Sequence, residues 1–414
     1  MTSPIKRPPR KNPVLRTRLP TSPPGIRSRV TLGLTAAAAQ GRFELQVCRD
    51  CGAVQYPPRE ACHVCLSERL IWRPQDGAGE LISESTIHNA LELYFRERAP
   101  WRLGLVRLDC GPIVVAQVHG DCAKAPTRVR IGACLDKSGQ AALFAMPEKE
   151  TPNMAEDRQL REMTCDPKFR KVLVTDGKTA VGQAMVRALA AAGADLIWVG
   201  CAEPWKQAPG FDELKAIPQV TPVALDVTDA RSVKEIAGEI GSRVDILVNS
   251  AEHHRAFGIG ARYGTDVARA EMDINYLGLL RLAQEFGPVM RSRGADGVSS
   301  AVAWVNLLSI FALANYPPQG TFSASKAAAH SLSQCLRAEM RGAGVRVINV
   351  YPGPIDDEWN QLILPPKLSP NALATAIVKA LREGVEDLYP GDVAQDWLAR
   401  WRDNPKALER ELAG

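Results

Sequence analysis

Residues 172–200, VLVTDGKTAVGQAMVRALAAAGADLIWVG, decide the fold of the larger part of the chain. The largely apolar run VLVT leads into the helical stretch AMVRALAAAG, and a second apolar run, DLIWVG, follows. Outward from here the alternation continues to about residue 390 through VTPVALDV, VDILVNS, AVAWVNLLS and RVINVYPG. Strands that are apolar on both faces belong to a parallel sheet covered by helices on both sides. We therefore predict an α/β fold with a doubly wound parallel sheet over residues 169–414.

The strongest motif in the first half is CRDCGAVQYPPREACHVC, residues 48–65. Its two C-x2-C pairs can point four thiolates, from Cys48, Cys51, Cys62 and Cys65, at one tetrahedral Zn²⁺. Four protein ligands leave no open coordination position, so such a zinc is structural, and His63 is expected to be a bystander. The alternatives are two disulfides or a ribbon without its metal. The six scattered cysteines elsewhere weigh against disulfides.

Residues 76–145 are predicted to form a small antiparallel β-barrel, because GELISESTIH, LGLVRLD, PIVVAQVHG and TRVRIGACL alternate apolar and polar residues. A zinc ribbon joined to an OB-like barrel can indicate single-stranded nucleic acid, which requires a basic groove with stacking aromatics. This segment instead balances eight acidic against eight basic residues, and its aromatics do not interleave with Lys or Arg. A nucleic-acid-binding regulator is therefore only a second alternative, and we expect no nucleic-acid partner.

The order of features from residue 30 to residue 145 resembles a known family. A helix (residues 31–39) precedes FELQ, CxxCG, QYPPR, CxxC, Trp72, GxGEL and PWRLGLV. This order resembles the zinc-ribbon/OB-fold family called domain of unknown function 35. The resemblance implies a helix plus zinc ribbon over residues 31–75 and an OB-like barrel over residues 76–145. It also implies an acyl-CoA thioester ligand and a thiolase-type partner enzyme.

Two segments lack a core-forming pattern. Residues 1–30 hold eight Lys/Arg, no Asp/Glu and seven prolines, so we expect a basic tail that is disordered until a partner binds. A solvated leader, contact with an acidic partner subunit and contact with nucleic acid are the interpretations of this tail. Residues 146–168 are charged, contain proline and show no sustained periodicity, so we predict a linker.

The composition is that of an ordinary globular protein. The 414 residues are 45% hydrophobic and 23% charged, which excludes collagen-like, wholly disordered and coiled-coil chains, and the length suits two or three domains. The longest apolar runs are far shorter than the roughly 18 to 20 residues that cross a bilayer. No apolar stretch follows the basic N-terminus as in a secretory signal. We therefore expect no membrane segment and a cytoplasmic location.

A second resemblance covers residues 169–390. The loop TDGKTAVG at 175–182, NSA at 249–251, SASKAAA around Lys326 and Pro352-Gly353 occur in the order typical of the short-chain dehydrogenase/reductase family. The resemblance implies a Rossmann-like domain, an NAD(P) cofactor and oxidoreductase chemistry. The catalytic residues that it implies are Ser309, Lys326 and Asn275. The cofactor-binding residues that it implies are Thr175, Gly177, Gly182, Asp226, Val227 and Asn249.

The sequence departs from that family where the chemistry is done. The family places a proton-donating tyrosine four residues before the lysine, and that position is Phe322, whose ring has no proton to give. Asp176 and Ala180 replace two glycines of the phosphate-binding loop, and Glu252 adds a carboxylate after the NSA motif. A carboxylate repels the pyrophosphate that such a loop receives, so NAD(P) binding is doubtful. Tyr316 is the other hydroxyl that could supply a proton.

These features together predict a fusion protein. We expect an acyl-CoA-binding and scaffolding subunit, non-catalytic or weakly catalytic, of a complex that dehydrogenates and thiolytically cleaves a β-hydroxy/β-keto acyl-CoA. The alternative is an active NAD(P)-dependent 3-hydroxyacyl-CoA dehydrogenase that uses water, Ser309 or Tyr316. We also expect a homo- or hetero-oligomer, with a catalytic short-chain dehydrogenase paralogue as a possible partner, assembled through the helices near 266–291 and 323–340. An apolar stripe at Val393, Trp397, Leu398 and Trp401 either joins that interface or packs on its own domain.

Overall fold

The structure is a computed structural model and describes residues 1–7, 22–206, 208–261, 263–294 and 300–413. The chain divides into two compact units. The first unit contains residues 1–7, 22–166 and the short stretch 382–385, and the second contains most of residues 167–413. Among the described helices, none combines the length and the apolar character that crossing a lipid bilayer requires.

The described residues of the first unit form eight strands and three α-helices. Its strands are β1 (Glu44–Cys48), β2 (Val54–Gln55), β3 (Leu70–Pro74), β4 (Ala78–Ile87), β5 (Trp101–Leu108), β6 (Ile113–Val118), β7 (Thr127–Leu135) and β8 (Ala141–Pro147). Its helices are α1 (Leu32–Ala38), α2 (Leu93–Glu97) and α3 (Arg158–Arg161). Strands β1 to β3 form an antiparallel ribbon in the order β2-β1-β3, and strands β4 to β8 close into a barrel in the order β4-β5-β6-β8-β7. The predicted ribbon and OB-like barrel are thus confirmed.

The alternation predicted for the barrel strands sets which side chains fill its core. Leu81, Val106 and Ile131 are each at most 2% exposed and lie inside the barrel. Gly104 on β5 allows this packing, because a Cβ there would come within 2.3 Å of a Leu81 methyl carbon. The sequence pattern therefore specifies both the strands and their inward faces.

The segment 146–168 is not the predicted linker. Strand β8 runs to Pro147, and α3 begins after Asp157, whose carboxylate accepts hydrogen bonds from the Leu160 amide at 2.9 Å and the Gly120 amide at 3.0 Å. The side chain of Gln159 accepts from the Arg102 amide at 2.9 Å. The polar composition that suggested a linker instead supplies partners for backbone groups of the barrel, and the segment belongs to the first unit as far as Asp166.

The predicted basic tail falls partly outside the described residues, which exclude 8–21. Two of the residues before that gap contact other residues of the first unit. The terminal ammonium of Met1 is 3.2 Å from the Asp121 carboxylate, and the Ile5 amide donates to Glu156 at 2.6 Å.

The second unit is the predicted doubly wound α/β domain. Its strands are β9 (Lys171–Val174), β10 (Leu196–Gly200), β11 (Val220–Val223), β12 (Ile246–Asn249), β13 (Ala303–Leu307), β14 (Arg346–Val350) and β15 (Asp387–Leu388). All pairings are parallel, in the order β11-β10-β9-β12-β13-β14-β15. The strand order reverses between β9 and β12, and ligands of such sheets bind at that crevice, outside the carboxyl ends of the strands.

Helices cover the sheet and bury its apolar strands. They are α4 (Ala180–Ala191), α5 (Phe211–Lys215), α6 (Ala230–Ile240), α7 (Asp266–Met272), α8 (Leu279–Ser292), α9 (Gly320–Arg341), α10 (Pro370–Glu383), α11 (Asp392–Asp403) and α12 (Pro405–Leu412). A π-helical turn, Asp273–Gly278, joins α7 to α8. Strands β12 to β14 are buried along their whole length, with Trp304 fully buried at their centre.

The C-terminal apolar stripe packs on its own domain. Leu398 on α11 is 8% exposed, and the ring of Trp397 lies 5.3 Å from that of Phe311 and 5.9 Å from that of Tyr316, centroid to centroid. The stripe therefore covers the segment that follows β13.

Candidate functional site

The four cysteines of the ribbon form a structural zinc site. All four Sγ atoms lie within 4.8 Å of one another, with Cys48 and Cys65 3.6 Å apart and Cys51 and Cys62 3.5 Å apart. Tetrahedral coordination at about 2.3 Å places sulfur atoms about 3.8 Å apart, so this geometry fits zinc and is far too open for disulfides. The imidazole of His63 faces Gln55 Oε1 at 3.2 Å and is not a ligand.

Backbone amides support two of these ligands. The amide of Asp50 donates to Cys48 Sγ, and the amide of Val64 donates to Cys62 Sγ, both at 3.4 Å. Gly52, at φ 75°, makes the left-handed turn that follows the first pair. Such hydrogen bonds favour the thiolate form and orient the ligands.

The dehydrogenase-like site lies at the carboxyl ends of the central strands of the second unit. Thr175 follows β9, Asn249 ends β12 and Ser309 follows β13, while Phe322 and Lys326 lie on the first turns of α9. The fold thus brings the residues that the sequence predicted to this edge of the sheet.

Lys326 is committed to an ion pair. Its side chain is 2% exposed, and Nζ lies 2.6 Å from Glu252 Oε2 and donates to the Leu307 carbonyl at 2.9 Å. The other carboxylate oxygen of Glu252 lies 3.1 Å from His254 Nδ1. Burial of Glu252 raises its pKa, but Lys326 and His254 lower it further, so that this pKa falls from 4.5 to about 2. The carboxylate is therefore charged at neutral pH.

Phe322 fills the position of the missing hydroxyl. It is 3% exposed, and its ring centroid lies 4.6 Å from that of His254 and 6.5 Å from that of Phe311. The cavity between Phe322, His254 and Ser309 measures about 10 Å³. One water needs about 10 to 15 Å³, so the cavity is far too small for an acyl substrate.

Two buried polar atoms beside this cavity, His254 Nε2 and Gln319 Oε1, have no hydrogen-bond partner among the described residues. Sequence reasoning missed both residues. The signal that could have found the histidine is the pair His253-His254 directly after Glu252, since only six histidines occur in the chain.

The other two predicted catalytic residues, Asn275 and Ser309, also have structural partners. Asn275, in the π-helical turn, donates to the His253 carbonyl and to Ser325 Oγ, each at 2.8 Å, and accepts from the His253 amide at 3.0 Å. Ser309 Oγ accepts from the Phe311 amide at 3.2 Å. Asn275 therefore joins the loop after β12 to α9.

Tyr316 does not replace the missing tyrosine. Its ring stacks on Phe311 at 4.9 Å and an interplanar angle of 22°, and it is not among the residues that line the cavity beside Ser309. The sequence-based suggestion of Tyr316 as a proton donor therefore has no support in its placement.

The phosphate-binding loop is held by its own side chains. Thr175 Oγ1 accepts from the amides of Ser250 and Ala251 at 3.0 and 3.1 Å, which ties β9 to β12. Gly182 is required for the close approach of helix and loop, because a Cβ there would come within 1.9 Å of the Asp176 carbonyl oxygen. Gly177 is required as well, since a Cβ would meet a Val199 methyl at 2.0 Å.

The other predicted cofactor residues lie near the same edge but are also engaged. The carboxylate of Asp226 accepts from the amide and the hydroxyl of Thr228, at 2.9 and 2.7 Å. Val227 is 6% exposed and packs in the core, and Asn249 accepts from the Thr175 hydroxyl at 3.2 Å. The Glu252 carboxylate pairs with Lys326, and the Asp176 carboxylate accepts from the Lys178 amide of the loop. These residues therefore do not fit a nicotinamide dinucleotide.

Known families match three parts of the chain. The model described as short chain dehydrogenase matches residues 170–366. The ChsH2 rubredoxin-like zinc ribbon domain matches residues 35–70, and the ChsH2 C-terminal OB-fold domain matches residues 72–136.

Individual relatives match the second half. Galactitol 2-dehydrogenase (L-tagatose-forming) from Cereibacter sphaeroides is 35% identical over 195 residues, 45% of this chain and 71% of that protein. Sulfoacetaldehyde reductase 2 from Chromohalobacter salexigens is 30% identical over 195 residues, 45% of this chain and 73% of that protein. A short-chain dehydrogenase from Burkholderia cenocepacia, solved in complex with NADP, is 31% identical with a TM-score of 0.54, and the match covers 60% of this chain and 99% of that one.

Proposed function

We propose that this chain, which belongs to the short-chain dehydrogenase family, is a scaffolding subunit. Its membership rests on residues 170–366, and ChsH2-type zinc-ribbon and OB-fold domains precede them. It is non-catalytic or weakly catalytic, binds an acyl-CoA thioester, and serves a complex that dehydrogenates and thiolytically cleaves a β-hydroxy/β-keto acyl-CoA. Its partners are a thiolase-type enzyme and a catalytic short-chain dehydrogenase paralogue.

The observation that carries this proposal is the state of the predicted catalytic residues. Phe322 stands at the tyrosine position, and Lys326, whose charge lowers the pKa of that tyrosine in the family, is paired with Glu252 at 2.6 Å. Loss of a general acid alone typically costs about 100- to 10,000-fold in rate. Because the partner lysine is also engaged, we expect no hydride transfer by this chain alone.

A groove in the first unit supports acyl-CoA binding. It lies beside α1 and the ribbon, has a volume of about 690 Å³ and is lined by Arg29, Arg59 and Trp72. Glu60 and Glu68 also line it, so its charge is mixed. Two guanidinium groups and an indole suit the phosphates and the adenine of a CoA nucleotide. Arg59→Glu should weaken CoA binding in calorimetry, whereas Arg243→Glu, on the second unit, should not.

The experiment that tests the proposal uses the full chain. The purified protein is mixed with a 3-hydroxyacyl-CoA and NAD⁺ or NADP⁺, and absorbance at 340 nm is followed. We expect no increase, and we expect thiolase and dehydrogenase subunits co-expressed from the native host to co-elute with the chain. Turnover by the chain alone, or elution of a 45 kDa monomer without either enzyme, contradicts the proposal.

The oligomer is proposed to form through α8 and α9. Ser331 is exposed on α9, and Leu277, just before α8, is also exposed. Ser331→Trp should lower the molar mass measured by light scattering, towards that of the smaller species. Lys234→Trp, on the exposed face of α6, is the matched control and should leave the mass unchanged.

One observation favours the second candidate, an active 3-hydroxyacyl-CoA dehydrogenase. His254 Nε2 is buried, lacks a hydrogen-bond partner among the described residues and borders the cavity beside Ser309, so an imidazole lies where a proton donor is missing. This candidate predicts NAD(P)-dependent turnover by the unmodified chain that His254→Phe abolishes.

A further inference from the structure

Two groups in the cleft at the carboxyl ends of β9, β12 and β13, here called the nucleotide cleft, are of the kind that contacts a bound nucleotide. In a doubly wound sheet, the pyrophosphate of a dinucleotide lies at the N-terminus of the helix after the first strand, here α4, where free amides receive it. The second such group is the ammonium of Lys326, which reaches from α9 to the Leu307 carbonyl at the end of β13. Both groups already have partners in this chain.

One amide before α4 and one in its first turn are taken by Asp176 and Thr179, respectively. The carboxylate of Asp176 accepts from the Lys178 amide at 2.8 Å, and Thr179 Oγ1 caps the helix by accepting from the Gly182 amide at 3.1 Å. Asp176 is itself fixed, because its amide donates to Ser250 Oγ at 3.1 Å and Ser250 Oγ donates to its carbonyl at 3.0 Å.

The ammonium of Lys326 is taken by Glu252. This carboxylate comes from the loop after β12, the strand directly beside β9 in the sheet. It lies 2.6 Å from Lys326 Nζ and 3.1 Å from His254 Nδ1, and its side chain is only 11% exposed. A carboxylate that bridges two such partners in a buried place is hard to displace, because a ligand must first break a desolvated ion pair.

We infer that the nucleotide cleft is occupied by the chain's own carboxylates: Asp176 holds the place of the phosphate at the α4 loop, and Glu252 holds the place of the ligand hydroxyl or anion at Lys326. The two carboxylates make the folded domain independent of a nucleotide and exclude one by charge and by occupancy. This inference deepens the proposed function and rests on it, because both concern the nucleotide cleft.

The test is a titration of the full chain with NADPH, followed by energy transfer from tryptophan to the nicotinamide and by the midpoint of thermal unfolding. The unmodified protein should show no saturable binding and no change of Tm up to about 1 mM NADPH. The variant Asp176→Gly/Glu252→Gly, which removes both carboxylates, should bind at least tenfold more tightly than that limit and gain Tm on binding. Glu235→Ala/Glu409→Ala removes the same charge from exposed positions and should not gain affinity.

If the glycine variant does not fold, Asp176→Asn/Glu252→Gln replaces it in the test, because this variant keeps the side-chain shapes and removes the charges. We expect it to gain at least threefold in NADPH affinity. Micromolar binding by the unmodified protein, or no gain in a variant with a native tryptophan spectrum, overturns the inference. NADPH binding by the unmodified protein without turnover overturns this inference alone, whereas turnover of a 3-hydroxyacyl-CoA by the unmodified protein overturns the proposed function.

Discussion

Replacing Glu252 by glutamine isolates the charge of the buried cluster. Glutamine has the shape of a protonated glutamate, so the change leaves the packing around Lys326 and His254 in place and removes only the negative charge. Lys326, 1% exposed, then keeps the Leu307 carbonyl as its hydrogen-bond acceptor but loses its counter-ion at 2.6 Å.

The expected loss of stability follows from the pKa of Glu252. That pKa falls from 4.5 to about 2 on folding, and a tenfold change in acidity corresponds to about 1.4 kcal/mol, so the charge contributes about 3 kcal/mol at pH 7. This agrees with the roughly 3 to 5 kcal/mol lost when one partner of a buried pair is removed. Because the folded pKa is the lower one, the contribution is complete above pH 4.5 and is lost as pH falls towards 2.

Urea unfolding followed by tryptophan fluorescence measures this quantity, since six of the eight tryptophans lie beyond residue 167. The difference in unfolding free energy between the unmodified protein and Glu252→Gln should be about 3 kcal/mol at pH 7 and should shrink to roughly half of that near pH 3. Glu235→Gln, which breaks the exposed pair with Arg231, should change nothing measurable.

A double-variant cycle with Lys326→Met separates the ion pair from its surroundings. If the pair carries the effect, adding Lys326→Met to Glu252→Gln should recover part of the lost stability, because the unpaired buried ammonium is then gone. A pH-independent difference, or a loss below about 0.5 kcal/mol, would refute the account of a buried ion pair.

The zinc site and the order of the fold could be predicted from the sequence because their determinants are local. The ribbon needs four cysteines within eighteen positions, 48–65, so spacing alone indicates the site. The central strands of the second unit are largely apolar runs, and the predicted site residues Thr175, Asn249 and Ser309 lie at or within two residues of a strand end.

The ion-pair cluster could not be predicted, because it depends on tertiary packing between the loop after β12 and α9. The sequence places the Glu252 carboxylate near the cleft, but nothing local to it shows that it reaches Lys326 rather than solvent. The same limit explains the segment 146–168. Its charged composition gives no sign that Asp157 and Gln159 supply hydrogen bonds to the barrel.

The remaining predictions concern the metal, the chemistry and the phosphate-binding loop. Elemental analysis should find one zinc per chain, and Cys48→Ser should lose it together with the fold of the ribbon, while the tryptophan signal of the second unit persists. Phe322→Tyr alone should not restore hydride transfer at 340 nm, because the lysine beside it stays paired; measurable turnover by this variant would contradict the role given to that pair. Two glycines in helices, Gly182 in α4 and Gly238 in α6, should respond in opposite directions to alanine. A Cβ at position 182 would come within 1.9 Å of a backbone carbonyl in the preceding loop, whereas one at position 238 would meet nothing within 4 Å. Since alanine is favoured over glycine inside a helix by about 0.5 to 1 kcal/mol, Gly238→Ala should stabilise the protein by about that amount. Gly182→Ala should destabilise it, because backbone, unlike the end of a flexible side chain, cannot move aside without breaking the hydrogen bonds that hold the loop to β12. Equal unfolding midpoints for the two variants in urea would show that this loop is not fixed as the structure describes it.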